Sequence, residues 1–134
     1  DYVYSGSNYE HTETSPVLPT NKYSWSKLGG ECAVQLCKEF LIIRLAMVEW
    51  PFPHKNAFSN VVKSSIWSDK VPDILIKLFD KSGIYNVGGK SETIYDFVSS
   101  RISNIDKIEA SDDIPKKINI DTTKLNKVKK DLDI

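Results

Sequence analysis

Hydrophobic residues recur along this chain at two spacings. In four segments they come every three or four positions, the spacing of a helix with one apolar face. Two of these segments have suitable starts: Pro72 fits a first helical turn, and Asp121 with Thr122 is a typical cap. The predicted helices cover residues 22–39, 72–81, 91–102 and 125–131.

Three shorter, mostly apolar segments outside these helices predict strands, and the longest of them is interrupted by one arginine. A strand covered on both faces is apolar throughout and does not alternate with polar residues. The predicted strands cover residues 1–4, 40–46 and 83–87. Turn-forming residues predict a loop at 5–21 and irregular structure at 104–117, and a short helix is expected at 56–63. Helices alternating with strands predict an α/β fold with a partly parallel sheet.

Gly29 and Gly30 lie inside the first predicted helix. Each costs about 1 kcal/mol relative to alanine in a helix interior. We therefore expect close approach to this part of the helix, by a packed strand or helix or else by a ligand.

Composition adds limits on size, partners and location. The chain has 134 residues, of which 40% are hydrophobic, which suits one domain with a core. Its 18 basic residues balance 18 acidic ones, so nothing favours a nucleic-acid partner. No apolar run is long enough to cross a bilayer, and the opening residues lack a signal-peptide pattern. We expect a cytoplasmic protein that binds neither nucleic acid nor membrane.

The two cysteines and two histidines suggest no metal site. Cys32 and Cys37 are five positions apart in a predicted helix, so they project in different directions. His11 and His54 do not have zinc-ligand spacing relative to them. We expect two unpaired, buried or half-buried thiols and no bound metal.

Tyr23 and Lys27 are the one pair with an obvious chemical use. Four residues apart on a helix, they share a face. A lysine ammonium beside a tyrosine favours the phenolate, which lets that tyrosine exchange a proton with a carbonyl or hydroxyl oxygen. Chance alone predicts about one such pair in a chain of this composition, so the surrounding sequence has to decide.

From Pro19 to Glu31 the sequence reads Pro-Thr-Asn-Lys-Tyr-Ser-Trp-Ser-Lys-Leu-Gly-Gly-Glu. It resembles the active-site helix of the extended short-chain dehydrogenase/reductases, which are nucleotide-sugar epimerases, dehydratases and reductases. Other segments resemble this family's strands and helices in the correct order. The last of them, Ile-Asp-Thr-Thr-Lys-Leu, resembles the branch that includes dTDP-4-dehydrorhamnose reductase. The matching segments are residues 1–6, 41–44, 83–89, 94–97 and 120–125.

The resemblance implies a fold and a reaction. The fold is the C-terminal part of an NAD(P)-binding Rossmann-like doubly wound fold plus its small substrate-binding lobe. Residues 1–48 would complete the dinucleotide-binding core, and residues 49–134 would supply the substrate lobe with late sheet elements. The reaction is NAD(P)-dependent reduction of a nucleotide-activated 4-keto-6-deoxy sugar. Tyr23 would be the general acid/base and Lys27 would hold the ribose of NADPH or NADH, both contacting the cofactor.

Two parts of the family pattern are absent from this sequence. There is no glycine-rich phosphate-binding turn, and no serine or threonine stands before Asp1. We therefore expect a C-terminal fragment that is inactive alone. Its apolar segments should find partners in a homo-oligomer or in the missing N-terminal half.

Other readings stay open at this point. Arg44, inside an apolar run, predicts either a substrate-phosphate contact or a structural ion pair. Trp50, with Phe52 and Trp67, could contact a nucleotide base of the substrate or belong to the core. The chain could instead come from an epimerase or dehydratase of the same family, or from a non-catalytic binding module on the same fold.

Overall fold

The computed structural model describes residues 1–131, which form four α-helices, one 3₁₀ helix and nine short strands. The helices are α1 (Lys22–Val34), α2 (Val71–Leu78), α3 (Ile94–Ser99) and α4 (Thr123–Asp131), and the 3₁₀ helix covers Ser68–Lys70. The strands are β1 (Leu41–Leu45), β2 (Met47–Val48), β3 (Asn56–Phe58), β4 (Val62–Ser64), β5 (Ile66–Trp67), β6 (Gly83–Val87), β7 (Ser91–Thr93), β8 (Asp106–Ile108) and β9 (Lys117–Ile118).

Most of the strand pairs are parallel. β1 pairs with β6 from Leu41 opposite Gly83 to Leu45 opposite Val87. β2 pairs with β5 and β3 pairs with β8 in the same parallel sense. β4 lies between β7, which is antiparallel to it, and β9, which is parallel. The predicted α/β fold with a partly parallel sheet is confirmed.

The core around β6 follows from the apolar face of α2. Ile74 and Leu78 are four positions apart on that helix, and both are buried against β6 and α4. Tyr85 and Val87 of β6 and Leu125 of α4 complete this cluster. The predicted strand 83–87 and the two helices that cover it are therefore confirmed, with α2 ending three residues earlier than expected.

The first helix ends earlier than the apolar spacing predicted. α1 stops at Val34, and the amides of Leu36 and Cys37 bond the carbonyls of Ala33 and Val34 in tight turns. Leu36, which the pattern placed on the buried face, is 89% exposed. The prediction of a helix to residue 39 is wrong because the spacing continued past the point where the backbone turns away.

Several residues predicted from local pattern take another conformation. Residues 1–4 form a turn and not a strand, although Val3 and Tyr4 are buried as expected. The segment 56–63 contains β3 and the start of β4, not a helix, and β7 precedes α3. β8 and the start of β9 fall in the stretch predicted to be irregular. All these strands pair with partners far along the chain, and strand formation depends on such partners more than on local sequence.

Gly29, Gly30 and the two cysteines are more exposed than predicted. Within residues 1–131 nothing lies within 4 Å of a methyl group built on either glycine, so the expected close packing is not found. Cys32 and Cys37 are unpaired, but both are exposed and neither is buried or half-buried. In the described part of the chain, no group of three His, Cys, Asp or Glu side chains is arranged to hold a metal ion.

Three further expectations concern the whole chain. No helix in residues 1–131 is long and apolar enough to span a bilayer. The division between residues 48 and 49 stays a prediction, and residues 132–134 of the second part lie outside the described residues. Trp25, Leu36, Ile76 and Phe79 are more than half exposed, and the expected partner for the apolar segments stays a prediction.

An added methyl group should change stability in opposite directions at Gly88 and Gly29. A Cβ on Gly88 would overlap the Ser64 carbonyl oxygen and come within 2.9 Å of the Ile120 Cδ1 atom. We expect Gly88→Ala to lower the free energy of unfolding by about 1–3 kcal/mol. The added methyl group of Gly29→Ala contacts no other residue of the described chain, so this variant should raise the free energy of unfolding by up to about 1 kcal/mol. Urea denaturation of the natural protein measures both, and a Gly88→Ala variant as stable as wild type would contradict this packing.

Candidate active site

The start of α1 is fixed by a side-chain cap. Asn21 has an extended backbone, and its Oδ1 accepts a hydrogen bond from the Ser24 amide at 2.8 Å. This is the usual arrangement of an N-cap asparagine, which satisfies one of the free amides of the first turn. The cap sets where the helix begins, and so where Tyr23 lies in its first turn.

Tyr23 and Lys27 share one face of α1, as their spacing predicts. The Lys27 Nζ atom lies 5.0 Å from the centroid of the Tyr23 ring, within the range of a cation–π contact. Both side chains are exposed, Tyr23 by 59%. Within the described residues Lys27 forms no ion pair. Its ammonium and the Tyr23 hydroxyl are therefore accessible to a ligand.

A cavity of about 360 Å³ opens beside this pair. It is formed by α1, by β1 and by the turn at residues 1–3, with β4 contributing one side chain. Glu31 also reaches this cavity, so residues 23, 27 and 31 line it at successive helical turns. The charged and tyrosine side chains around it are Asp1, Tyr2, Tyr23, Lys27, Glu31, Arg44 and Lys63.

Arg44 and Glu31 form a buried ion pair at the base of the cavity. The Arg44 Nε donates to Glu31 Oε1 at 3.0 Å, and Nη2 donates to Oε2 at 2.8 Å. Only 6% and 9% of the two side chains are exposed. Burial alone would lower the pKa of Arg44, but hydrogen bonds to Glu31 and Tyr4 raise it. The guanidinium is thus held charged in place.

The same arginine is tied to the long loop after Tyr4. Arg44 Nη1 donates to the Tyr4 hydroxyl at 2.9 Å and to the Glu13 carbonyl at 3.1 Å. The Tyr4 hydroxyl in turn donates to Asn86 Oδ1 at 2.8 Å, and the Tyr4 ring stacks on His11 with centroids 4.6 Å apart. Burial raises the pKa of Tyr4, although Arg44 and Asn86 oppose that shift. Loop 5–21 is therefore anchored to β1 and β6 by buried polar contacts.

Arg44 is thus found in the structural ion pair that the sequence left as one of two readings. It also lines the cavity, so its substrate contact stays a prediction.

Lys63 is a residue of this cavity that sequence reasoning missed. It projects from β4, its side chain is only 8% exposed, and its Nζ lies 2.8 Å from Asp1 Oδ2. The same Nζ is 4.1 Å from the centroid of the Tyr2 ring. A lone lysine after Val61 and Val62 could have signalled a buried charge, had this segment been predicted as a strand.

Trp50 lies outside both of the larger cavities. Its ring makes an edge contact with Trp67 at 5.3 Å, and the Arg101 guanidinium lies 3.4 Å from its centroid. Phe52 instead lines a second cavity of about 370 Å³, together with Phe58 and Ile94. Trp67 is buried, and both Trp50 and Phe52 pack against its hydrophobic cluster, which agrees with the core reading of these three aromatic residues. Trp50's contact with substrate stays a prediction.

Comparison with known proteins gives a likeness in fold. No family model matches the chain, and no curated protein matches it. Among solved structures, a hypothetical dTDP-4-dehydrorhamnose reductase from Sulfolobus tokodaii superposes with a TM-score of 0.75 at 22% identity. The matched region covers 94% of this chain and 55% of the Sulfolobus protein.

Two further solved structures agree with this likeness. A dTDP-4-dehydrorhamnose reductase from Bacillus anthracis, in complex with NADP, has a TM-score of 0.77 at 19% identity over 93% of this chain and 55% of its own. A dTDP-glucose 4,6-dehydratase from Streptomyces venezuelae, with NAD bound, has a TM-score of 0.72 at 16% identity. The matched region covers 94% of this chain and 50% of that protein. The fold is thus the Rossmann-like arrangement of these proteins, and the chain spans about half their length.

Breaking the buried ion pair should be costly. Arg44→Met leaves the Glu31 carboxylate buried without its partner, so we expect the free energy of unfolding to fall by about 3–5 kcal/mol. Replacing both residues, as Arg44→Met with Glu31→Gln, should recover part of that loss. Lys81→Met, which removes an ion pair with the exposed Asp80, is the control and should change little. Equal urea midpoints for Arg44→Met and Lys81→Met would contradict the assignment.

Proposed function

We propose that this chain is the C-terminal part of an NAD(P)-dependent reductase of a nucleotide-activated 4-keto-6-deoxy sugar. The observation that carries the proposal is the placing of Tyr23 and Lys27 on one face of α1, at the edge of a cavity of about 360 Å³. The fold shared with two dTDP-4-dehydrorhamnose reductases supports it.

Tyr23 would move the proton in this reaction. Its hydroxyl is exposed beside the cavity and can donate to the oxygen of a bound ketone while the carbonyl carbon receives a hydride. The Lys27 ammonium next to the ring favours the phenolate that remains. The product is an alcohol, and solvent returns the proton to Tyr23.

The donor set of the cavity suits the ribose of a dinucleotide. Lys27 and Tyr23 present an ammonium and a hydroxyl at the same edge, and both can hydrogen-bond ribose hydroxyls. NADPH or NADH would supply the hydride when bound. The glycine-rich turn that would hold the pyrophosphate is not in this sequence, so we propose that another part of the enzyme supplies it.

A dehydratase of a similar nucleotide sugar is the second candidate. It is favoured by one observation, the likeness to a dTDP-glucose 4,6-dehydratase at a TM-score of 0.72. Arg44, which lines the cavity, would contribute to substrate binding in either enzyme, whereas Trp50 lies outside that cavity.

The test is turnover by the natural protein as its gene encodes it. Oxidation of NADPH or NADH with a dTDP-4-keto-6-deoxy sugar should be measurable, and Tyr23→Phe should lower kcat by about 100-fold or more. Lys27→Met should lower kcat/KM with a raised KM for the cofactor. Tyr9→Phe is a matched control, because Tyr9 is 60% exposed and lies outside the cavity.

The outcomes separate the candidates. Loss of activity in Tyr23→Phe but not Tyr9→Phe supports the reductase. Release of water from a dTDP-hexose without net NAD(P)H oxidation would favour the dehydratase. Absence of both activities and of dinucleotide binding would favour a non-catalytic module on the same fold.

A further inference from the structure

Lys63 is a buried lysine on the central strand of a three-stranded sheet. β4 is bonded on both sides, by β7 and β9, so the backbone that carries Lys63 is held in place. Lysine is almost never fully buried unless its charge is paired. Here the ammonium is paired with Asp1 at 2.8 Å, and its side chain still reaches the edge of the cavity that holds Tyr23.

Its contacts lead toward Tyr23. Lys63 Nζ lies 4.1 Å from the centroid of the Tyr2 ring, and the Tyr2 ring meets the Tyr23 ring edge-on, with centroids 6.4 Å apart at 84°. On its other side Tyr23 has Lys27, 5.0 Å away. The two tyrosine rings thus lie next to each other, with Lys63 beside the first and Lys27 beside the second.

Tyr2 and Lys63 also stand between two cavities. Together with Met47, they line both the cavity beside Tyr23 and the second cavity at Phe52. Movement of the Tyr2 ring would therefore change the shape of the cavity that Tyr23 lines. The ion pair of Lys63 with Asp1, at the residue before Tyr2, restrains that movement.

We propose that Lys63 is a positioning residue for Tyr23. It holds the Tyr2 ring against the Tyr23 ring and adds a second positive charge to the cavity next to that of Lys27. Its role in turnover rests on the proposed function, whereas its effect on Tyr23 itself does not.

The neighbouring tyrosines help to keep Lys63 charged. Burial lowers the pKa of Lys63, but its neighbours Tyr2 and Tyr23 oppose that shift. The ammonium form of Lys63 therefore places a positive charge on the Tyr2 side of the cavity, as Lys27 does on the other. A packing role alone could be filled by an apolar side chain of similar length.

The first test needs no substrate. Tetranitromethane nitrates tyrosine phenolates, and peptide mass spectrometry of the natural protein gives the rate at Tyr23 alone. We expect Lys63→Met to slow nitration of Tyr23 about 3-fold or more, because a nearby positive charge is lost. Lys63→Arg keeps the charge and should restore at least half of the wild-type rate.

Lys124→Met is the matched control. Lys124 Nζ lies 4.0 Å from the centroid of the Tyr85 ring, the same kind of contact away from the cavity. Its loss should leave nitration of Tyr23 unchanged. Equal rates at Tyr23 in wild type and Lys63→Met would overturn the proposal. Where Lys63→Met does not fold, the double variant Lys63→Gln with Asp1→Asn avoids a buried unpaired carboxylate and gives the same readout.

The second test is kinetic. Lys63→Met should lower kcat about 10-fold with little change in the sugar's KM, and should cause no further loss in a Tyr23→Phe background, as expected of residues that act together. A further loss in that background would show a purely structural role. If the protein reduces no nucleotide sugar but Lys63→Met still slows nitration, the proposed reaction fails and the positioning role stands. If the protein does reduce a nucleotide sugar but Lys63→Met changes neither kcat nor the nitration rate of Tyr23, the proposed reaction stands and the positioning role fails.

Discussion

The buried ion pair between Arg44 and Glu31 is the constraint on which the site depends. An arginine inside an apolar strand needs a counter-charge at bonding distance, since a buried unpaired charge is very costly. Glu31 supplies it from α1, and this fixes the rotation of the helix about its axis. Because Tyr23 and Lys27 precede Glu31 by two turns and one turn, the same rotation points them into the cavity.

A second set of buried polar contacts fixes the loop over this pair. Tyr4 bonds both Arg44 and Asn86, and Asn86 also donates to the carbonyls of His11 and Asp121. Segments from the start, middle and end of the chain therefore meet at one polar network inside the core. Such a network specifies one arrangement because each buried donor and acceptor depends on the others.

The same arrangement explains why the fold and the proposed chemistry agree. The cavity is formed where α1, β1 and the turn at residues 1–3 come together, and the fold places the tyrosine and lysine at its edge. Within residues 1–131, β1 pairs with β6 on one side only. The chain spans about half the length of the solved structures that share its fold.

Features that depend on neighbours close along the chain could be predicted before the fold was known. The spacing in α2, the apolar run of β6 and the four-residue step from Tyr23 to Lys27 are local, and each was predicted. Features that depend on distant partners were found only in the folded chain. They are the strands β3, β4, β7, β8 and β9, the exposure of Leu36, and the position of Lys63 beside Tyr2. Strand pairs and buried charges are stabilised by residues far away in sequence, so the local spacing of hydrophobic residues does not predict them.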